Sequence, residues 1–346
     1  MERPRLDPDL AAAIQERRRE SDRRLDLFSE RLRETLEPDI TKLVGEHTCV
    51  YAIGSAGRGE LTPESDLDLF IVRCDGEPSR LDAVQLQAAI VRASRLASFP
   101  DPSDDGQWLT LHTADRFVSL LGSPADDSEN TFTARMLLLL ESRLVLGQPA
   151  YEQTLEKVID AYWRNEAEHP NDYQPIVLIN DIIRYWRILL LNYEATNTRR
   201  QRTAMDEEAR DARRRLRSYR LRFSRCLTCY SALAYLLALT HGVGKPHVER
   251  QDVKNMVASV PLDRLLWVRE RASAVSGVPE TVDRLLTSYR TFLAFANQGR
   301  SELERQFRDS SFRSSRSREG QSFGEDMFQL VSHLGERNPL YRWLVV

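Results

Sequence analysis

The alternation of apolar and polar positions divides the chain into an N-terminal helix, a short α/β segment and a long helical remainder. Over 8–38, Leu10, Ile14, Leu25, Phe28, Leu32 and Leu36 recur at near-helical spacing among Arg and Glu. That is the pattern of an amphipathic helix, and Pro38 closes it. The period then changes. Residues 48–53 (TCVYAI) are β-branched and aromatic and stop at Gly54, which predicts a buried strand. A second strand is expected over 67–72 (LDLFIV), a helix over 81–96, a loop over 100–106 (PDPSDDG) and a third strand over 108–113 (WLTLHT), with a short helix after it. Residues 131–146 (TFTARMLLLLESRLVL) predict one helix, capped by Asn130 or Thr131 and ended by Gly147. Helices are expected near 150–167, 175–195, 216–240, 248–257, 262–275, 279–298 and 323–335. Periodicity does not decide 196–215, and the Ser/Arg bias of 308–321 reads as a flexible linker. The organisation is an N-terminal helix (1–40), a small α/β domain (41–147) and a larger all-helical domain (148–346) with an Arg-rich segment at 196–225.

Composition narrows the setting. The 346 residues are 41 % hydrophobic and 29 % charged, a globular balance. The longest largely apolar run, 230–239, is half the length of a membrane span, so no membrane partner is expected. MERPRLDPDL has no apolar signal core. Four cysteines in such a length are not a disulfide framework and fit a reducing cytoplasm. The net charge of −3 conceals an asymmetry: 45 of the 49 cations are Arg and four are Lys. Codon bias accounts for the choice of Arg. The guanidinium fork also grips phosphate oxygens.

One segment carries chemistry: Gly54-Ser-Ala-Gly-Arg-Gly-Glu-Leu-Thr-Pro-Glu-Ser-Asp-Leu-Asp-Leu69. A strand runs into Gly-Ser and a Gly-rich turn, and ten residues separate Ser55 from Asp66-x-Asp68. Alternation on a strand puts both carboxylates on one face. Paired hard oxygen ligands suit Mg²⁺ (or Mn²⁺), which also takes substrate phosphates and water. Gly54, Gly57 and Gly59 let the backbone approach a ligand, and N–H groups in such a turn attract anions. Ser55 adds a hydroxyl. Arg58 is placed to neutralise phosphate charge. Either half of the pattern alone also fits a structural turn; the joint pattern is far more restrictive.

This segment resembles the signature of the DNA polymerase β superfamily of nucleotidyltransferases. Its Gly-Arg-Gly-Glu turn before Ser-Asp-x-Asp-Leu is most similar to the branch containing PII uridylyltransferase and glutamine-synthetase adenylyltransferase. The strong resemblance covers about 20 residues; LINDIIRYWR and YRLRFSR are also similar to stretches of bacterial nucleotidyltransferase-domain proteins. The resemblance implies an α+β fold, with a small mixed-sheet domain followed by the helical one. It also implies that Asp66 and Asp68 bind metal and that an acceptor attacks the α-phosphorus of a nucleoside triphosphate, releasing pyrophosphate. Related architectures serve stress and phage-defence signalling. The family carries a third carboxylate on a later strand. Here 108–113 holds His112 but no acid, so Asp115 is the expected third catalytic acid, with helix capping as its alternative; Asp101, Asp104 and Asp105 precede the strand. Without a third acid, the protein would use His112, react slowly or act as a nucleotide or RNA sensor.

Other features admit two readings. Asp126-Asp127-x-x-Asn130-x-x-x-x-Arg135 is a capping cluster or a loop closing over the nucleotide. Asn180, Arg184 and Arg187 share one helix face, and Arg184 and Arg187 are expected to reach the triphosphate if the helical domain forms the other wall of the cleft. Residues 199–225 hold eleven Arg against four acids, with Tyr219 and Phe223 interleaved. This suits a nucleic-acid or oligonucleotide acceptor or product, and Arg222 and Arg225 are expected at the triphosphate. Cys226-x-x-Cys229 lies in an apolar run and reads as core thiols. The N-terminal helix is a candidate homo-oligomer contact, as in an antitoxin-like interaction protein.

Overall fold

The computed structural model describes residues 8–37, 39–77, 79–102, 109–169, 173–200, 207–242 and 245–344. The expected cap Pro38, most of the 100–106 loop with Asp104 and Asp105, and Trp108 lie outside them, as does part of the Arg-rich segment. The chain divides into two compact units, one of residues 13–169 with 253–260, the other of the remainder.

The first unit is built on a four-stranded mixed sheet. In chain order it comprises α1 (Pro8–Leu36, in part), α2 (Ile40–Leu43), β1 (Thr48–Ala52), α3 (Gly54–Gly57), β2 (Leu69–Arg73), α4 (Arg80–Leu96), β3 (Leu111–Thr113), α5 (Ala114–Ser119), α6 (Ala125–Ser128), α7 (Thr131–Glu141), β4 (Arg143–Leu146) and α8 (Gln148–Tyr162). The strand order is β3-β2-β1-β4. β1 runs antiparallel to both neighbours, while β2 and β3 are parallel, joined through α4 as a parallel pair requires.

Alternation sets the two faces of the sheet. Val50, Ala52, Leu67, Leu69 and Ile71 pack with Leu25, Phe28, Leu32 and Leu36 of α1 and Leu86, Ile90 and Ala93 of α4. The apolar stripe of α1 thus covers the sheet of its own chain. On the other face, Tyr51 stacks on Phe70 and Phe70 on His112, with Tyr151 of α8 and Phe117 of α5 beyond them.

Residues 131–146 are not one helix. α7 ends at Glu141, Ser142 is extended, and Arg143–Leu146 form β4 beside β1. Gly147 follows at φ +82°, where a Cβ would lie 2.2 Å from Thr48 O. The glycine read as a helix stop instead lets the chain leave β4 against the start of β1.

The second unit is helical. It contains α9 (Ile176–Arg200), α10 (Glu207–Arg220), a π-helical turn (Leu221–Arg225) and α11 (Cys226–Thr240). It continues through α12 (Arg250–Ala258), whose last residues belong to the first unit, α13 (Pro261–Arg271), α14 (Val278–Ala296), α15 (Arg300–Gln306), α16 (Ser310–Gly335) and α17 (Pro339–Arg342). The continuous helix 207–240 is long and apolar enough by composition to cross a membrane. Nearly every side chain of α11 is buried, however, which makes it a core helix. Cys226 and Cys229 lie there as buried free thiols, with burial pushing Cys226 up to about 12. Residues 308–321 are not a linker. Asp309 caps α16 through Phe312 N at 2.7 Å. Arg313 and Arg316 bond Asp211 and Glu319, and Phe312 joins Phe295 and Phe307.

Candidate functional site

The long connection from β1 to β2 carries the expected chemistry. The β1–β2 ladder runs to Ala52↔Leu69 and continues through Ile53 N donating to Asp68 O at 3.0 Å. Asp66 and Asp68 therefore lie just ahead of β2 rather than within it. Leu67 between them is in the core with Leu69, so alternation keeps both carboxylates on the opposite face. Gly54 is fixed by two constraints: its φ is +63°, and a Cβ there would lie 2.7 Å from Asp68 Oδ2. The turn is thus folded directly against the second carboxylate. Gly57 is held as tightly, since its Cβ would fall 1.7 Å from Glu141 O.

In α3, Gly57 N and Arg58 N bond Ile53 O and Gly54 O. Ser55 and Ala56 precede them, and first-turn N–H groups have no acceptor within their own helix. Gly54 N donates to Glu141 Oε1 at 3.2 Å. Arg58 Nη1 donates to Glu141 Oε2 at 2.9 Å and its Nε to Glu60 Oε2 at 2.8 Å. All three side chains are buried, at 8 % or less exposure. Arg58, expected at the phosphates, is thus engaged with two internal carboxylates and braces the turn. Around it, Arg17 Nη2 donates to Glu60 O, Arg24 to Thr62 O, and Ser21 accepts from Leu61 N.

Asp115 is brought elsewhere. It opens α5 after the C-terminal end of β3 and is 60 % exposed, with Lys157 Nζ 2.8 Å from its Oδ1. Lys157 Nζ also donates to Cys74 O at 2.7 Å, just past the end of β2. Six residues of near-strand separate Asp68 from Cys74, about 20 Å at 3.3 Å per residue. The structure therefore does not bring Asp115 to the Asp66–Asp68 pair. The β2–β3 register sets Val72 beside His112, four residues on from the level of Asp68. His112 is about 13 Å along the strand from that level. Burial pushes its imidazole down to about 4, so it is neutral at pH 7, and its Nε2 lies 3.1 Å from Thr110 Oγ1. Asp101 pairs with Arg95 on the surface.

Asp126 and Arg135 form an internal network. Both are fully buried, with Arg135 also bonding Phe117 O and Tyr162 Oη and Asp126 accepting from Thr131. Burial raises the Asp126 carboxyl, but bonds from Arg135 and Thr131 hold it below its ordinary value. The cluster is an internal ion-pair network rather than a cap, since Asn130 at the start of α7 makes no side-chain capping bond.

The other expected arginines lie in the helical unit. Arg184 is 3.7 Å from Asp181, Arg187 is exposed, and the Arg222 stem passes over Gly320. Arg225 lies half-buried in the π-turn. Tyr219 and Phe223 do not face solvent as base-stacking groups; they are buried in an aromatic core with Tyr289, Phe292 and Phe323.

Comparison with known families supports one general chemistry. Residues 13–108 match a nucleotidyltransferase family. Its model is described as "Putative nucleotidyltransferase DUF294". The nucleotidyltransferase segment takes in most of α1, the Gly54 turn, both aspartates and α4, and stops before β3, Asp115 and Glu141. It supports nucleotidyl transfer as the general chemistry without selecting a branch, donor or acceptor. None of the curated proteins matches the chain.

Glu141 and Glu60 are the site residues that sequence reasoning missed. Glu141 does leave a signal, since it is an acid ending the apolar run LLLL, and a buried acid needs partners.

Proposed function

We propose that the first unit is a divalent-metal-dependent nucleotidyltransferase that moves a nucleoside monophosphate from a nucleoside triphosphate to an acceptor and releases pyrophosphate. The observation that carries this reading is the Asp68 carboxylate lying against Gly54 at the head of the Gly-Ser turn; alternation about buried Leu67 puts Asp66 on the same side. Two carboxylate side chains at the mouth of an anion-attracting turn are a donor set that fits Mg²⁺ or Mn²⁺. When bound, such an ion neutralises charge on the reacting phosphates and assists the leaving pyrophosphate.

The chain's own part is positioning. The N–H groups of Ser55 and Ala56 and the Ser55 hydroxyl hold phosphate oxygens, while Gly57 lets the turn pack against the backbone of Glu141. Arg58, Glu60 and Glu141 hold the turn in place, so that its donors need little reorganisation at the moment of transfer. The acceptor is a protein side chain, a small molecule or a growing oligonucleotide, in a cytoplasmic setting that four free thiols suit. A nucleotide messenger for stress or phage-defence signalling is one such product.

A second reading rests on the placement of Asp115. With that acid at the far end of the sheet, nucleotide is bound and turned over weakly, as in a sensor. Incubation with each α-labelled nucleotide and Mg²⁺ or Mn²⁺ tests both. Label transferred to protein, RNA, a small molecule or a homopolymer supports the enzyme, and binding without transfer supports the sensor.

A further inference from the structure

The end of the sheet away from the Gly54 turn brings together a second set of ligating groups. His47 and Cys74 are neighbours one step beyond the Thr48↔Arg73 pair, joined by Cys74 N donating to His47 O at 2.8 Å. Asp75 follows, and its Oδ1 lies 2.9 Å from His47 Nδ1 and 3.9 Å from Cys74 Sγ. The three donor atoms all fall within 4.8 Å of one another.

We propose that His47 Nδ1, Cys74 Sγ and Asp75 Oδ1 form a binding site for Zn²⁺ or a similar borderline-soft divalent cation, separate from the Asp66–Asp68 pair. Imidazole nitrogen, thiolate sulfur and carboxylate oxygen are the donors zinc takes, whereas Mg²⁺ takes oxygen alone. Zinc bonds of about 2.0–2.3 Å in tetrahedral array hold ligand atoms roughly 3.3–3.6 Å apart. The His47–Asp75 and Asp75–Cys74 spacings of 2.9 and 3.9 Å bracket that range, so those pairs need only small side-chain shifts to take an ion. Three protein ligands leave the fourth position to water.

Binding requires the thiolate, and the Cys74 proton leaves to solvent. Burial and the neighbouring Asp75 carboxylate hold that thiol above its ordinary value, with Lys157 opposing them, so the ion itself must displace the proton. His47 and Asp75 are about half exposed, which gives the ion access. A bound ion would tie the connection before β1 to the exit of β2. At about 20 Å from Asp68 it contributes to stability and takes no part in transfer.

The test is a Co²⁺ titration of the full chain after removal of metal by chelator. Wild type is expected to develop a thiolate-to-cobalt absorption band with a single equivalent, displaced by Zn²⁺. The band is lost in Cys74→Ser and weakened in His47→Ala and Asp75→Asn. It persists in Cys226→Ser and in Asp66→Ala with Asp68→Ala. Zn²⁺ raises the Tm of wild type and not that of His47→Ala. Absence of the band in wild type, or its survival in Cys74→Ser, overturns the proposal and leaves His47–Asp75 as a surface ion pair only. Should Cys74→Ser fail to fold, undiminished Co²⁺ uptake by His47→Ala overturns it instead, because that imidazole is exposed.

Discussion

Replacing Arg58 with Met separates bracing the turn from touching the nucleotide. Its guanidinium meets Glu60 at 2.8 Å and Glu141 at 2.9 Å, and the three side chains are 8 %, 5 % and 0 % exposed. Met fills a similar volume but leaves two carboxylates buried without their cation. Breaking a buried pair in this way costs about 3–5 kcal/mol. An exposed arginine freed from such contacts would cost under about 0.5 kcal/mol. With a urea m-value of about 2 kcal/mol/M, the buried case lowers the midpoint by about 1.5–2.5 M. Urea unfolding followed by far-UV circular dichroism reads this, in the transition that includes the sheet. Adding Glu141→Gln to Arg58→Met removes one stranded charge and should recover part of the loss. An Arg58→Met midpoint that does not move, or no recovery from the second change, would refute the bracing role and return Arg58 to the phosphates.

Other predictions follow from the same geometry. Gly54→Ala meets a left-handed backbone and the Asp68 carboxylate together; it should cost about 1–2 kcal/mol and abolish metal-dependent pyrophosphate release, read by thermal unfolding and a phosphate assay. Asp115→Asn loses only an ion pair whose carboxylate is 60 % exposed, so stability should stay within about 0.5 kcal/mol and pyrophosphate release should match wild type; a large loss of activity would contradict its placement. His112 is held near 4 in the folded state against about 6.5 unfolded. The unfolded chain therefore takes up the proton first. Stability is full above about pH 6.5 and falls as pH drops towards 4, and His112→Phe should flatten denaturation midpoints measured across that window.

What was readable in the sequence follows how local each signal is. The α1 stripe and the first two strands announce themselves by period, and Gly54-Ser55 with Asp66-x-Asp68 by spacing within one connection. β4 did not, because Leu144, Val145 and Leu146 prolong the apolar run of α7 and only its pairing with β1 makes it a strand. The helix through 310–321 was hidden in the same way: its Ser and Arg carry no apolar period, and partners such as Asp211 lie about a hundred residues away in sequence. Asp115 misled because adjacency to a strand does not reveal which end of the sheet that strand's exit reaches. The parallel pairing of β2 and β3 decides it. Arg58 reads as a phosphate ligand from its place in a glycine turn, and only the distant Glu141 shows otherwise.

The central claim is that Asp66 and Asp68 hold the metal for nucleotidyl transfer. Its most direct test is pyrophosphate release from common NTPs and dNTPs with Mg²⁺ or Mn²⁺, with candidate acceptors supplied, comparing wild type with Asp66→Asn plus Asp68→Asn. The account predicts release by wild type and its loss in the variant, with the unfolding midpoint retained. Release that persists in a folded variant would contradict it.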